Sequence, residues 1–309
     1  MKKINLQFKI KSYYLLLLLI LFGLPSAAFG AVLYFSSANN VYHEGDVFIV
    51  EARINIQDEC INMVEADISF SQDVLEIVDF SKANSILSLW VSSPLISQET
   101  ATISFAGGIP GGYCGIVPGD LSESNLIGKL VFKVKELSQT SIANVKFLEN
   151  SRVLLNDGFG TPGKLEFKDA SFTLLVGQSE DFKNEWQEQI ETDLVPPELF
   201  EVEINKNPEM FENKYFIVFF TTDKQTGIDY YEVKEGKGEW IIAQSPYLLK
   251  DQNLQSIIKV KAVDQADNQV IIEYTPLRRQ LTFLAIFLIL CVIIFWWILK
   301  NIKKRNIQN

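Results

Sequence analysis

Few residues in this chain could do chemistry. His43 is the only histidine in 309 residues, so a serine or cysteine nucleophile would lack its usual base. It stands two residues before Gly45, at the edge of an alternating run, and reads as a turn residue. The 38 acidic residues could supply the paired carboxylates of a glycosidase, yet no spacing singles out a pair. One histidine and three cysteines do not make a zinc set, so no metal is expected. Asn156-Asp157-Gly158-Phe159-Gly160 has the residue types of a calcium loop, but reads instead as a tight hairpin turn. Asp223 and Asp229 read as acidic turn residues rather than a ligand site. With no phosphate loop and no cofactor fingerprint, the expectation is a non-enzyme without cofactor.

Binding remains. Sugars stack on flat aromatic faces, and Trp90 and Tyr113 are the candidate ligand-binding residues. Trp90 lies among Leu87, Leu89 and Val91, so a place in the core is its alternative. Tyr113 lies in a glycine-rich stretch and is expected to be exposed.

Both chain ends point to export. Residues 281–299, LTFLAIFLILCVIIFWWIL, carry no charge and would span about 28 Å as a helix, close to bilayer thickness. Trp296 and Trp297 sit near one end, where indoles favour the headgroup region. Lys300, Lys303, Lys304 and Arg305 follow, which places the tail 300–309 in the cytoplasm and everything before the helix outside. No LPxTG-type motif precedes the helix, so the anchor is expected to be retained. Residues 1–30 have a basic start, a short apolar run and Ala28-Phe29-Gly30, a signal peptide cleaved before Ala31; an uncleaved helix is the alternative. The expected location is the plasma membrane, single-pass, with the bulk of the protein extracytoplasmic.

Outside the cytosol cysteine pairs oxidise, so Cys60 and Cys114 are expected to form a disulfide. Closing that loop stabilises by about 4 kcal/mol in the chain-entropy model. Cys291 falls within the apolar helix and reads as a packing residue. The 38 acidic residues all lie in 31–280 against 20 basic ones, a net charge of −18. Such a surface repels nucleic acid, which is excluded as a partner.

The elements that must position any site are strands. Phe48, Val50, Ala52, Ile54 and Ile56 fall on one face of 47–56, with Glu51, Arg53 and Asn55 on the other. Ala66, Ile68 and Phe70 alternate with Glu65, Asp67 and Ser69; Leu130, Phe132 and Val134 alternate with charged residues that include Lys129, Lys133 and Lys135. Turn signals separate these runs, among them Gly107-Gly108, Pro110-Gly111-Gly112 and Asn156-Asp157-Gly158. An all-β sandwich over 31–176 is predicted. Residues 177–195 are polar and acidic without alternation, and read as an exposed linker with one helical turn around Trp186. Residues 196–276 predict a second, smaller β domain containing the apolar run Tyr215 to Phe220.

The motif order in the first region resembles a cohesin domain. Gly45-Asp46-Val47-Phe48-Ile49-Val50, then Asn62 and DISFSQDVLEIVDF (67–80), resemble its opening half. TISFAGGIPGGYCG (102–115), GKLVFKVK (128–135) and SRVLLNDGFGT (151–161) resemble its second half. The resemblance implies a nine-stranded jelly-roll sandwich, related to carbohydrate-binding modules, that captures a dockerin-like protein module. Polysaccharide binding through exposed aromatics and a purely structural spacer are the alternatives. TTDKQTGIDYYEV (221–233) and VKAVDQADN (260–268) resemble bacterial immunoglobulin-like or fibronectin-type modules, with Asp267 where those carry glycine. That resemblance implies a spacer between the binding domain and the membrane.

Overall fold

A computed structural model describes residues 30–57, 59–115, 125–179, 182–277, 281 and 286–297. The signal segment (Gly30 apart) and the basic tail 300–309 lie outside the described residues. Strands β1 (Ala31–Ser36), β2 (Val41–His43), β3 (Val47–Asn55), β4 (Ile61–Phe70), β5 (Leu75–Ser81) and β6 (Leu89–Ser97) come first. They are followed by β7 (Thr102–Tyr113), β8 (Leu126–Val134), β9 (Ser141–Phe147), β10 (Arg152–Leu155), β11 (Leu165–Lys168) and β12 (Ala170–Leu175). Among these described strands β2, β10 and β11 have three or four residues, and the other nine have six or more.

The strands form two sheets. The first has the order β11-β1-β3-β8-β5; the second has β2-β12-β9-β4-β7-β6, with β10 beside β4. Period-two alternation sends one side of each strand into the space between them. Phe48, Val50, Ala52 and Ile54 of β3 are fully buried there, as are Val64 and Ile68 of β4. Aromatic rings fill the middle: Tyr42 stacks on Phe48 at 3.9 Å, and Phe172 tilts against Phe48 at 5.3 Å.

Two sequence expectations change here. Gly107, Gly108, Gly111 and Gly112 are not turns between strands but parts of β7. A Cβ on Gly107 would stand 2.7 Å from Leu87 Cδ1, so glycine lets that leucine pack onto the strand. Gly111 and Gly112 take φ of +86° and +82° in a bulge, where Ile61 pairs with Tyr113 and Met63 pairs with Gly108. The second change concerns β8, which is buried on both faces apart from Lys133. Lys129, predicted on a solvated face, is 6% exposed.

The cover over β8 is the segment predicted to be an exposed linker. It contains α1 (Glu185–Thr192), whose N-cap Asn184 accepts a hydrogen bond from the Gln187 amide. Trp186 is buried against Val47 and Val131 on the outer face of the first sheet. Just before the helix, the Val47 amide donates to Lys183 O at 2.9 Å, and the Ile49 amide donates to Glu185 Oε2 at 2.9 Å. The segment thus satisfies the edge of β3 beyond the end of β1.

A second unit follows, with its own core around Ile217, Phe219, Val233 and Val260. Its strands are β13 (Val202–Asn207), β14 (Met210–Phe219), β15 (Ile228–Glu235), β16 (Ile241–Ala243), β17 (Tyr247–Leu248), β18 (Ile258–Asp264) and β19 (Gln269–Tyr274). They form a three-stranded sheet β13-β14-β17 and a four-stranded sheet β16-β15-β18-β19. At the C-terminal side, residues 286–297 are helical with exposed apolar side chains. Among the described residues no helix is long and apolar enough to cross a membrane, and residues 282–285 and 298–299 of the predicted span lie outside the described residues.

Candidate binding face

The outer surfaces of the two large sheets differ in what covers them. On the first sheet, β3, β8 and β5 carry α1 and the second unit. Ser81 Oγ donates to Thr226 O at 2.7 Å, Lys129 Nζ donates to Gln225 O at 2.9 Å, and the Asn84 amide donates to Asp223 O at 3.2 Å. From α1, Gln189 Nε2 also donates to Gln225 O, at 2.8 Å.

The turn that receives these bonds is built by its own sequence. Asp223 Oδ1 accepts from the amides of Gln225, Thr226 and Gly227. Gly227 has φ +88°, and a Cβ there would lie 3.0 Å from Ser81 Oγ and 3.1 Å from the Ala83 amide nitrogen. Glycine is thus required both by the backbone and by the close approach. Behind the turn, the carboxylates of Asp193, Asp223 and Asp264 gather within 4.8 Å, all buried. Each already accepts hydrogen bonds from protein: Asp193 from Thr226 Oγ1 and Val195, Asp264 from Ala266 and Asn268. Burial, with the charge of Asp223, raises the pKa of Asp264 above the usual carboxylate range. These carboxylates form a hydrogen-bonding knot at the junction. A groove of about 860 Å³ lies beside it, between α1 and strands β1 and β3, lined among others by Asn39, Ile49, Glu51, Glu185 and Gln189.

The outer face of the second sheet is built differently. Strand register aligns its outward residues in rungs across β6, β7 and β4. One rung is Leu95, Ser104 and Asp67; the next is Ser92, Ala106 and Glu65, continued by Arg152 of β10; a third is Leu89, Gly108 and Met63, continued by Leu154. On these three rungs the middle strand offers Ser104, Ala106 and Gly108, a low strip bordered on the β6 side by Leu89 and Leu95, 56% and 69% exposed. Across the strip, Arg152 pairs with Glu65 and Asn150 Nδ2 donates to Asp67. Small residues, two exposed leucines and paired charges suit a protein surface better than a sugar ring.

The aromatic candidates do not form a platform. Tyr113 is 3% exposed, because it ends β7 rather than lying in a loop, and faces the core. The next residue, Cys114, is joined to Cys60 in a disulfide with the Cα atoms 4.4 Å apart. Trp90 is half-buried, edge-on to Phe80 at 6.0 Å and tilted against Phe105 at 5.8 Å, with Lys82 Nζ 4.8 Å from its ring centroid. Phe159, which the sequence reading did not select, is 90% exposed at the tip of the β10–β11 turn. Asp157 Oδ1 accepts the Phe159 amide, holding that tip as a turn. His43, read from the sequence as a turn residue, instead ends β2, where it pairs with Leu175, and its amide donates to Asp46 Oδ2 at 2.8 Å.

No family model matches the chain, and no curated protein matches it. Among solved structures, the seventh ScaB type I cohesin from Pseudobacteroides cellulosolvens is 18% identical, with a TM-score of 0.38, covering 50% of this chain and 99% of that one. A non-cellulosomal cohesin from Archaeoglobus fulgidus is 13% identical, with a TM-score of 0.36, covering 50% and 94%. A type I cohesin–dockerin complex from Clostridium thermocellum matches at 12% identity and a TM-score of 0.38, covering 50% and 99%. About half of this chain is thus similar to cohesin modules.

Proposed function

We propose that the chain is a non-catalytic surface protein whose first sandwich captures a dockerin-type protein module on the outer face of β6, β7 and β4. The observation that carries the reading is the asymmetry between the two sheets. One outer face is taken by α1 and the second unit, while among the described residues the other is left uncovered, with small residues on β7 beside the exposed leucines of β6. The cohesin-like order of motifs in 45–161 supports the choice of partner. Burial of Tyr113 and the lysine over Trp90 remove support from polysaccharide binding.

The second unit, immunoglobulin-like in its motifs, stands between the binding sandwich and a membrane anchor at 281–299. Support for the anchor comes from the uncharged run and from the exposed apolar side chains of 286–297, which need cover from water. In this reading the chain is exported and stays in the plasma membrane with its tail inside. The test titrates the full chain in detergent with purified dockerin modules of several types, alongside a pass over insoluble polysaccharides. Saturable binding of a dockerin module supports the reading. Retention on polysaccharide with no module bound contradicts it.

A further inference from the structure

We infer that the junction between the two units is a rigid lock, so that the second unit is a strut of fixed direction and not a flexible spacer. Domains joined by a polar interface ordinarily move relative to each other. Here the second unit is held at two of its turns, the first of them from several sides. Sheet residues Ser81, Asn84 and Lys129 hold the Asp223–Gly227 turn; Gln189 of α1 holds the same turn from the side; and Asp193, directly after the helix, is bonded to Thr226 and to Asn268. Because α1 is itself anchored through Trp186 to Val47 and Val131, the connection has no slack. The effective concentration of the second unit at the sheet is therefore close to its maximum for a tethered module.

The second turn, Asp264–Asn268, is bonded through Asn268 to Asp193 O and through Gln265 to Asp79 Oδ2 at 3.5 Å, which opposes rotation about the first. Gly227 packs so closely on Ser81 and Ala83 that the turn has no room to slide. The lock does not depend on which partner the open face takes. Its consequence is that the face made by β6, β7 and β4 keeps one orientation relative to the membrane-proximal end.

The test uses the full chain in detergent, with Cys291 replaced by serine and spin labels on Glu99→Cys and Lys237→Cys, both exposed positions in different units. Pulsed dipolar spectroscopy then reads the distance distribution. The lock predicts one narrow distribution, and a width increase of about twofold or more when Ser81→Ala, Lys129→Met and Gln189→Ala are combined. Lys129→Met keeps the buried stem, and circular dichroism checks that both units remain folded. A broad distribution in the parent chain overturns the inference. So does a folded triple variant with an unchanged width.

Discussion

Lys129 stands directly opposite Ser81 in the β5–β8 register, and the two side chains end on consecutive carbonyls of the second unit, Gln225 O at 2.9 Å and Thr226 O at 2.7 Å. A lysine in an alternating strand ordinarily faces water. This one is withdrawn from it because the second unit sits on top.

That burial is measurable by amine acylation. Burial lowers the Lys129 pKa, which would favour reaction if the amine were reachable. The docked arrangement predicts the opposite pattern: Lys133, exposed on the same strand, is modified quickly and Lys129 slowly. Peptide mass spectrometry reads both sites. Equal rates would mean that the second unit is not seated on β8.

Trp186 joins α1 to the first sheet, so Trp186→Ala removes a large buried side chain and uncovers Val131. The expected loss is about 3 kcal/mol, at the low end for buried aromatics because the site lies near the surface. The check is the thermal midpoint of the full chain, which moves about 2–4 °C per kcal/mol for units of this size. An unchanged midpoint would show that the helix does not hold the sheet.

The Cys60–Cys114 bridge closes a loop with a sequence separation of 54. Replacing both cysteines by serine is expected to cost about 4 kcal/mol through restored freedom of the unfolded chain. Denaturant midpoints of the variant and the parent measure this under non-reducing conditions. The same variant leaves Tyr113 in β7, so its ring stays buried where the fold survives.

Asp79 gives the pH dependence a sign. Burial first, and the charge of Asp229 second, raise its pKa above the ordinary 3.8, against the lowering effect of the Phe80 amide. A carboxyl with a raised folded pKa contributes stability that is full below its ordinary value and is lost as pH rises through the folded value. Asp79→Asn should therefore stabilise the protein at pH 8, and the advantage should shrink as pH falls toward the ordinary carboxylate range. Thermal melts across that window check it. A variant less stable at every pH would show that the carboxylate is needed as an acceptor.

Much of this was readable in advance, and the rest has identifiable causes. Phe48, Val50, Ala52 and Ile54 declare β3 by period alone. Gly107 and Gly108 mislead because a glycine that makes room for Leu87 looks like a glycine that makes a turn. Val131 lies on the side of β8 that also carries Lys129 and Lys133, and it marks where Trp186 lands. Asp223 and Gly227 stand out as motif residues, yet only the docked turn shows that Gly227 is pressed against Ser81. Asp267 stands where the resembled modules carry glycine. It takes φ +63° there, the left-handed conformation that aspartate tolerates better than most residues, and its amide donates to Asp264 O. The open face was hidden for the same reason as the buried lysine, since both follow from which sheet the second unit covers.

The central claim is that a protein partner lands on β6, β7 and β4. The most direct measurement is calorimetric titration of the full chain with the tightest-binding dockerin module, repeated with Ala106→Arg, which raises a long charged side chain in the middle of the low strip. The account predicts at least a tenfold loss of affinity, about 1.4 kcal/mol or more, with the thermal midpoint unchanged. Unchanged affinity in Ala106→Arg would contradict it and move the binding site off this face.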